Sequence, residues 1–370
     1  MDEMNFSLGA SEDSEVIESA GINPEDRELE QILAKKRARI KVIGTGGAGN
    51  NTINRISEIG IIGAETIAIN SDAQDLLYTN ADRKILIGKE LTGGLGTGSN
   101  PQLGKEGAEE SEHEIKDALK DAHMVFITCG LGGGTGTGSA PVIAKLAKKQ
   151  GILTVAIVTL PFTMEGQRRY ANAQMGLDGL DGVVDTLIVI PNDKLLELAP
   201  DLPLPTAFKV ADEILTNAVK GIAELITKPG LINLDFADIK AIMKDGGVAM
   251  IGVGESDTEN RAAEATEKAI ENPLLDVEVA GSKGALINVS GGPNMSLEEA
   301  KKVVEIVSNK LDADANIIWG SQVVPELKGA IRVLLVITGV NSPQIFGGRE
   351  TFSVKRRAAL SEDLGIDFID

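Results

Sequence analysis

Between an apolar run, Met124 to Cys129, and a helix-like stretch, Pro141 to Lys149, the chain reads Gly130-Leu131-Gly132-Gly133-Gly134-Thr135-Gly136-Thr137-Gly138-Ser139. A strand, a loop nearly free of side chains and a helix start narrow the options sharply. Backbone N–H groups and the positive helix end can surround a polyphosphate there without any lysine. Glycine permits the turns and close approach this requires, at an entropic cost on folding. The alternative is a purely structural turn.

At 370 residues the chain can bury a large core and form two domains. Aromatics make up only 3%, so Leu, Ile, Val and Ala must fill that core. A formal charge of -19, with no basic patch of interleaved aromatics, repels nucleic-acid backbones and anionic membranes. No nucleic-acid partner is expected. The one cysteine, Cys129, excludes an intramolecular disulfide and a multi-cysteine zinc site. It ends an apolar strand and reads as buried and inert. His113 and His123 are too few for a histidine-rich metal centre and read as solvated surface. No apolar run approaches the roughly 18 residues of a membrane span, and the N-terminus lacks a signal-peptide core. These features predict a cytoplasmic protein with no direct membrane insertion.

The pattern predicts an α/β fold: a Rossmann-like, mostly parallel sheet joined by a long central helix to a smaller α/β domain. Residues 1–37 read as an acidic N-terminal arm. Residues 38–205 alternate strands (Ile40 to Ile43, Ala64 to Ile69, Lys84 to Ile87, Val125 to Cys129, Thr154 to Thr159, Thr186 to Ile190) with helices. Those helices are Asn51 to Ile59, Gln102 to Leu119 and Pro141 to Lys149. Over 206–228 apolar residues recur at helical spacing, with Thr206 as N-cap and Pro229-Gly230 as the stop. Residues 229–353 alternate again, with helices at Asp238 to Met243, Glu259 to Glu271 and Ser296 to Lys310, and strands at Val248 to Val253, Ala285 to Ser290, Ile317 to Trp319 and Ile331 to Thr338. Residues 354–370 read as an acidic tail.

A second glycine loop, Gly44-Thr45-Gly46-Gly47-Ala48-Gly49-Asn50-Asn51, carries G-x-G-x-x-G at Gly44, Gly46 and Gly49. Alone this is a weak dinucleotide signal. Asp72 does not close a clear strand, as the ribose-binding acid of an NAD enzyme should, and lies further than about 20 residues from the loop. A third loop, Gly93 to Gly98, is more than one pyrophosphate requires. No Gly-x-x-x-x-Gly-Lys-Ser/Thr appears, so phosphate charge falls to backbone dipoles, a divalent cation and a few side chains. Arg169 is a candidate cation and Glu165 a candidate for ribose hydroxyls; a solvated helix start is the other reading of that run.

Taken in order, these loops resemble the tubulin/FtsZ superfamily and, within it, the FtsZ family. Gly132 to Gly138 is similar to its phosphate loop. Gly44 to Asn51, Asn70-Ser71-Asp72-Ala73-Gln74 and Thr92 to Gly98 resemble its other nucleotide loops, and Pro161-Phe162-Glu165-Gly166-Arg169 its ribose segment. The likeness runs on through Pro191 to Lys194, Asn233 to Asp238 and Asn316 to Gly320, covering about residues 38–353. It implies a GTPase, active on assembly, that polymerises head to tail with itself into cell-division filaments, using GTP/GDP and Mg²⁺. It also implies location at a mid-cell division ring, with division proteins or a membrane tether met through the tail. Leu364, Ile366, Phe368 and Ile369 form a candidate docking motif there, against an inert tail.

Carried onto this chain, the resemblance implies nucleotide contacts at Gly46, Gly47, Ala48, Asn51, Asn70, Asp72, Gly96, Thr97, Gly132, Gly133, Gly134, Thr135, Gly136, Thr137, Glu165 and Arg169. Asn192 and Asp212 would read the guanine edge, with Phe208 against the base. A carboxylate accepts from guanine's amino and ring N–H groups, and adenine presents no such pair. Without the resemblance, Phe208 reads equally as a core residue and Asp212 as a first-turn helix acid. Ser71 stands where family members frequently carry Thr, which preserves the hydroxyl.

Asp235 and Asp238, at i,i+3 spacing, share one side of a helix start and read either as catalytic acids or as a cap. If they activate hydrolysis, a geometric problem arises. Phe208 and Asp212 begin the long helix and the acids follow its end, with roughly 25 Å of rod between. The short loop 229–234 would have to run back along its own helix to close that gap. Acids on the opposite face from the nucleotide complete a site only between two molecules, a head-to-tail contact that repeats into a filament. A Rossmann-type oxidoreductase, a GTP-binding structural protein without turnover and a tubulin-like relative outside division are the alternatives.

Overall fold

Runs of Val, Ile, Leu and Ala without a polar break suit strands buried on both faces. The computed structural model describes residues 38–194, 204–228, 231–232, 234–271, 282–312 and 314–340. The sequence readings of the arm, the tail and the Pro229-Gly230 stop lie outside these residues. The strands are β1 (Ile40–Thr45), β2 (Ala64–Asn70), β3 (Arg83–Leu86), β4 (Met124–Gly130) and β5 (Leu153–Leu160), then β6 (Thr186–Pro191), β7 (Gly247–Ser256), β8 (Gly284–Gly291), β9 (Asn316–Val323) and β10 (Ile331–Thr338). They form one hydrogen-bonded sheet in the order 3-2-1-4-5-6-7-10-8-9.

The first six strands are all parallel to their neighbours. Their order is that of a doubly wound sheet, reversing between β1 and β4. β7 joins β6 in parallel through Thr186–Gly247, Leu187–Val248 and Ile188–Ala249 alone. β10 runs antiparallel to both β7 and β8, and β9 is parallel to β8. The later strands therefore extend the earlier sheet across a narrow seam.

The helices are α1 (Gly46–Ile59), α2 (Ala73–Tyr78), α3 (Lys89–Thr92), α4 (Pro101–Glu110), α5 (Glu112–Leu119) and α6 (Thr135–Lys149), then α7 (Gln167–Leu180), α8 (Leu204–Thr227), α9 (Phe236–Met243), α10 (Arg261–Ile270) and α11 (Leu297–Ser308). One face of the sheet is covered by α1, α8 and α9. Leu215, Val219 and Ile222 of α8 pack there with Ile53 of α1, Phe126 of β4 and Leu334 of β10. At roughly 36 Å, α8 crosses from the six-strand group to the later strands. Gly221 lies so close to β10 that a Cβ would stand 2.7 Å from Leu334 Cδ2. Phe126 is fully buried, so its truncation to Ala would cost about 3–5 kcal/mol. On the other face, Ile115, Ile143 and Leu177 of α5, α6 and α7 cover Ile127 and Val158, while α10 and α11 cover β8 and β10.

Several boundaries differ from the sequence reading. α6 begins at Thr135 and α1 at Gly46, so the glycines form first turns rather than loops before them. Glycine's helix penalty of about 1 kcal/mol hides such starts. Thr206 lies inside α8, which already includes Leu204, and is not its cap. The stretch Gln102 to Leu119 breaks at Ser111 into α4 and α5. α7 runs on from what reads as only a helix start, its inner face made of small residues such as Ala173 and Gly176.

Candidate functional site

At the point where a doubly wound sheet reverses its order, a crevice opens beyond the carboxyl ends of the strands. Here it is a cleft of about 280 Å³. Gly46, Gly47 and Ala48 line it from the start of α1, and Gly130, Leu131 and Gly133 to Gly136 from the β4–α6 junction. Thr97, Thr159, Pro161, Glu165, Arg169, Asn192, Phe208, Ala211 and Asp212 complete the wall.

Two helix N-termini, those of α1 and α6, converge on this cleft. Their cap residues, Thr45 and Gly134, make no side-chain cap bond, and neither first turn carries an acid. First-turn N–H groups have no partner within a helix, and the macrodipole favours negative charge beside them. An anion bound there would take the place of the cap. Gly46 has φ +71°, and a Cβ on it would stand 2.8 Å from the Gly136 nitrogen, so the two loops meet backbone to backbone. A Cβ on Gly47 or Gly133 would meet nothing within 4 Å. Substitution there occupies ligand space without straining the fold.

Hydroxyl groups fix the loop from behind. Ser71 Oγ lies 2.6 Å and Thr97 Oγ1 3.2 Å from Thr135 Oγ1, and Thr45 Oγ1 lies 2.6 Å from Ser139 Oγ. Gly132 N–H donates to Thr137 Oγ1 at 2.9 Å, and Asn172 Nδ2 donates to the Gly132 carbonyl at 3.2 Å.

At the far side of the cleft, the Phe208 ring stands edge-on to Phe162, with centroids 5.1 Å apart. Asn192 is only 6% exposed, and its Oδ1 has no hydrogen-bond partner. Burial pushes the Asp212 carboxyl up to about 6, with Arg55 pulling partly the other way. Two acceptors short of donors, beside an aromatic ring, suit a ligand edge bearing N–H groups. Arg169 Nη1 donates to Glu165 Oε2 at 2.8 Å, while Glu165 Oε1 accepts the Phe162 N–H at 2.9 Å.

Six residues that the resemblance implies lie outside the lining. Asn51 is exposed on α1. Asn70 Oδ1 accepts the Ser71 N–H at 2.8 Å and its Nδ2 donates to Asp75 at 2.6 Å. Asp72 caps α2 by accepting from Gln74 and Asp75, and Gly96 stands beside it. Gly132 and Thr137 hold each other behind the loop. Sequence reasoning placed Pro161 in the ribose segment and missed Thr159 and Ala211. Thr159 sits where β5 ends, and Ala211 is one helical turn from Phe208, so strand ends and helix period were the available signals.

Asp235 and Asp238 form a capping box at the start of α9. Asp235 Oδ1 accepts the Asp238 N–H at 2.9 Å, and Asp238 Oδ2 accepts the Asp235 N–H at 3.3 Å. The cap reading is thus correct, and each carboxylate keeps one oxygen outside the box. Phe236 meets His123, just ahead of β4, with ring centroids 6.0 Å apart. Thr186, at the start of β6, donates to the Met243 carbonyl. α9 therefore lies under the amino ends of strands whose carboxyl ends bound the cleft. The seven residues of β4 hold the two regions roughly 20 Å apart.

A doubly wound sheet with two uncapped helix ends at its switch point, and donor-seeking acceptors across from them, defines a nucleotide-binding α/β protein. Residues 39–200 match the GTPase domain of the tubulin/FtsZ family, and residues 247–341 the C-terminal domain of the FtsZ family. The chain is 55% identical to cell division protein FtsZ of Methanothermobacter thermautotrophicus over 375 residues, 99% of this chain and 98% of that one. It is 60% identical to cell division protein FtsZ 1 of Thermococcus kodakarensis over 92% of this chain and 91% of that one. An empty FtsZ dimer from M. jannaschii superposes with a TM-score of 0.82 at 61% identity, covering 85% of this chain and 92% of that one. At 21% identity, the GTPγS-bound CetZ2 protofilament of Haloferax volcanii shares the fold with a TM-score of 0.71, over 88% of this chain and 99% of that one. The chain belongs to the tubulin/FtsZ family, in its FtsZ branch.

Proposed function

We propose that the complete catalytic site forms between two copies, the cleft of one chain meeting Asp235 and Asp238 of the next. As a family member the chain is a self-assembling GTPase that polymerises into filaments and hydrolyses GTP. The observation that carries the interface reading is the separation of cleft and acids to opposite ends of the same parallel strands.

In this reading the first turns of α1 and α6 cradle the phosphates. Asn192 and Asp212 accept the guanine amino and ring N–H groups, and Phe208 packs on the base. Arg169 and Glu165 flank the ribose and phosphates. The acids of the next copy orient and polarise the attacking water; full proton abstraction by an ordinary carboxylate is not required. Release of the γ-phosphate removes a group shared across the contact and weakens it. Among the described residues no three His, Cys, Asp or Glu side chains gather as metal ligands. Mg²⁺, when bound, would be held mainly by the nucleotide phosphates and water, with the Thr97 and Thr135 hydroxyls the side-chain oxygens of the phosphate loops that could face it.

No described helix is long and apolar enough to cross a membrane. The family points to a cytoplasmic mid-cell ring, with division proteins or a membrane tether reached through the acidic tail. Asp235→Ala tests the catalytic assignment. GTP should still bind, while turnover per subunit falls at least ~10²-fold. Wild-type turnover in that variant would refute it. Specific activity of the native chain should also rise steeply with protein concentration.

A further inference from the structure

On the sheet face away from α8, α4, α6 and α7 leave a groove of about 470 Å³. Pro141, Val142 and Met175 floor it, Lys105, Lys145 and Arg168 rim it, and no carboxylate lines it. This is a cationic strip on a chain of net charge -19. Lys105 makes one loose pair with Glu109 at 3.8 Å. Lys145 and Arg168 have no carboxylate within ion-pair distance among the described residues. Met175 is 56% exposed, so the floor offers uncovered apolar surface under the charged rim. An anion alone would leave that floor bare. An acidic peptide with apolar anchors covers both.

The chain carries such a peptide. Leu360, Leu364, Ile366, Phe368 and Ile369 are interleaved with Glu362, Asp363 and Asp367. Val340, the last described residue, donates its N–H to the Val248 carbonyl at 3.2 Å, near the start of β7. The chain therefore departs from the end of the sheet that carries Asp235 and Asp238. In the head-to-tail contact proposed above, on which this inference rests, that end abuts the cleft end of the next copy. The groove opens there, with Thr137 and Gly138, directly behind the phosphate loop, in its wall. Nineteen residues lie between Val340 and Leu360, and the twenty steps from one to the other reach about 65 Å when extended.

We propose that residues 360–370 of one copy dock in this groove of the next copy along the filament. Each exposed ion pair contributes little, but tethering raises the local concentration of the segment. The result is a second bond between neighbours that makes no contact with the γ-phosphate and outlasts its loss.

The test places a photo-crosslinking amino acid at Phe368 in the full chain and mixes isotopically heavy and light chains under assembly conditions with GTP. Crosslinks between heavy and light chains, mapping to residues 141–179, are expected. Lys145→Glu with Arg168→Glu should lower that yield about tenfold, the loss of two ion pairs. Glu362→Lys with Asp363→Lys should restore it, and unchanged thermal melting shows that the variants fold. Crosslinks confined to one chain, mapping elsewhere, or indifferent to charge reversal would overturn the proposal. Light scattering of the same samples separates the two readings. Filaments without the crosslink refute the docking alone; absence of filaments refutes the head-to-tail contact and the docking with it.

Discussion

The two helix N-termini that converge on the cleft and the one that starts α9 at the opposite end of the parallel sheet are capped in opposite ways. At the carboxyl ends, α1 and α6 begin without a side-chain cap and without an acid in the first turn. At the amino ends, α9 begins with a reciprocal box of two aspartates. A cap is worth about 1 kcal/mol, so a helix that forgoes one beside an open cleft leaves donors for something else. The capped helix needs nothing further and displays negative charge. One end suits an anion and the other presents carboxylates, set roughly 20 Å apart within one chain.

The largest effect that could break this contrast is complementation. A chain lacking the acids, Asp235→Ala, and a chain with a blocked cleft, Gly47→Trp, should each be nearly inactive. Mixed in equal amounts, they should recover turnover at about a quarter of contacts, where a sound cleft meets sound acids. A mixture as inactive as its parts would mean that each chain builds its own complete site.

A smaller effect isolates the cleft. Gly133→Ala places a methyl group where no protein atom lies within 4 Å, so melting should be unchanged. Nucleotide affinity, by fluorescent-analogue titration, should fall at least ~10-fold as the phosphate is displaced. Unchanged affinity would put the phosphate elsewhere.

The Asp212 carboxyl gives a pH signature. Its folded value of about 6 lies above the ordinary carboxyl value of 3.8, so the ligand-free fold gains stability as pH falls through that window. Guanine binding needs the charged acceptor and should weaken over the same window, by up to about tenfold per pH unit below 6. Calorimetric titration from pH 7 to 5 reads this directly, and Asp212→Asn should flatten the profile.

The smallest effect concerns Ser71. Ser71→Ala removes a 2.6 Å hydroxyl contact to Thr135 and should cost about 1 kcal/mol in nucleotide binding, while Ser71→Thr restores it. Equal losses in both variants would show that volume, not the hydroxyl, matters there.

Much of this was legible from residue order. β10 is found residue for residue, because Ile331 to Thr338 is an uninterrupted run dominated by apolar residues with clear ends. The glycine loops announced the cleft through chemistry that only glycine permits. Helix starts inside those loops were hidden by the same glycines. The join of β6 to β7 was not legible at all, since its three residue pairs depend on where α8 and α9 pack rather than on local pattern. Asp235 and Asp238 read as cap or catalyst, and the structure shows why that choice was hard. The cap is real, and it leaves half of each carboxylate uncommitted.

The roughly 20 Å between cleft and acids also sets an arithmetic on any assembly. With the site formed between copies as proposed, a row of n chains contains n−1 joined sites, and one terminal subunit holds its nucleotide unspent. On that reading a pair works at half capacity and a lone chain at none. Short oligomers are then poor catalysts by construction. The two tips of a row are chemically unlike, one showing an open nucleotide pocket and the other bare aspartates, which gives the polymer a direction before any other factor acts on it.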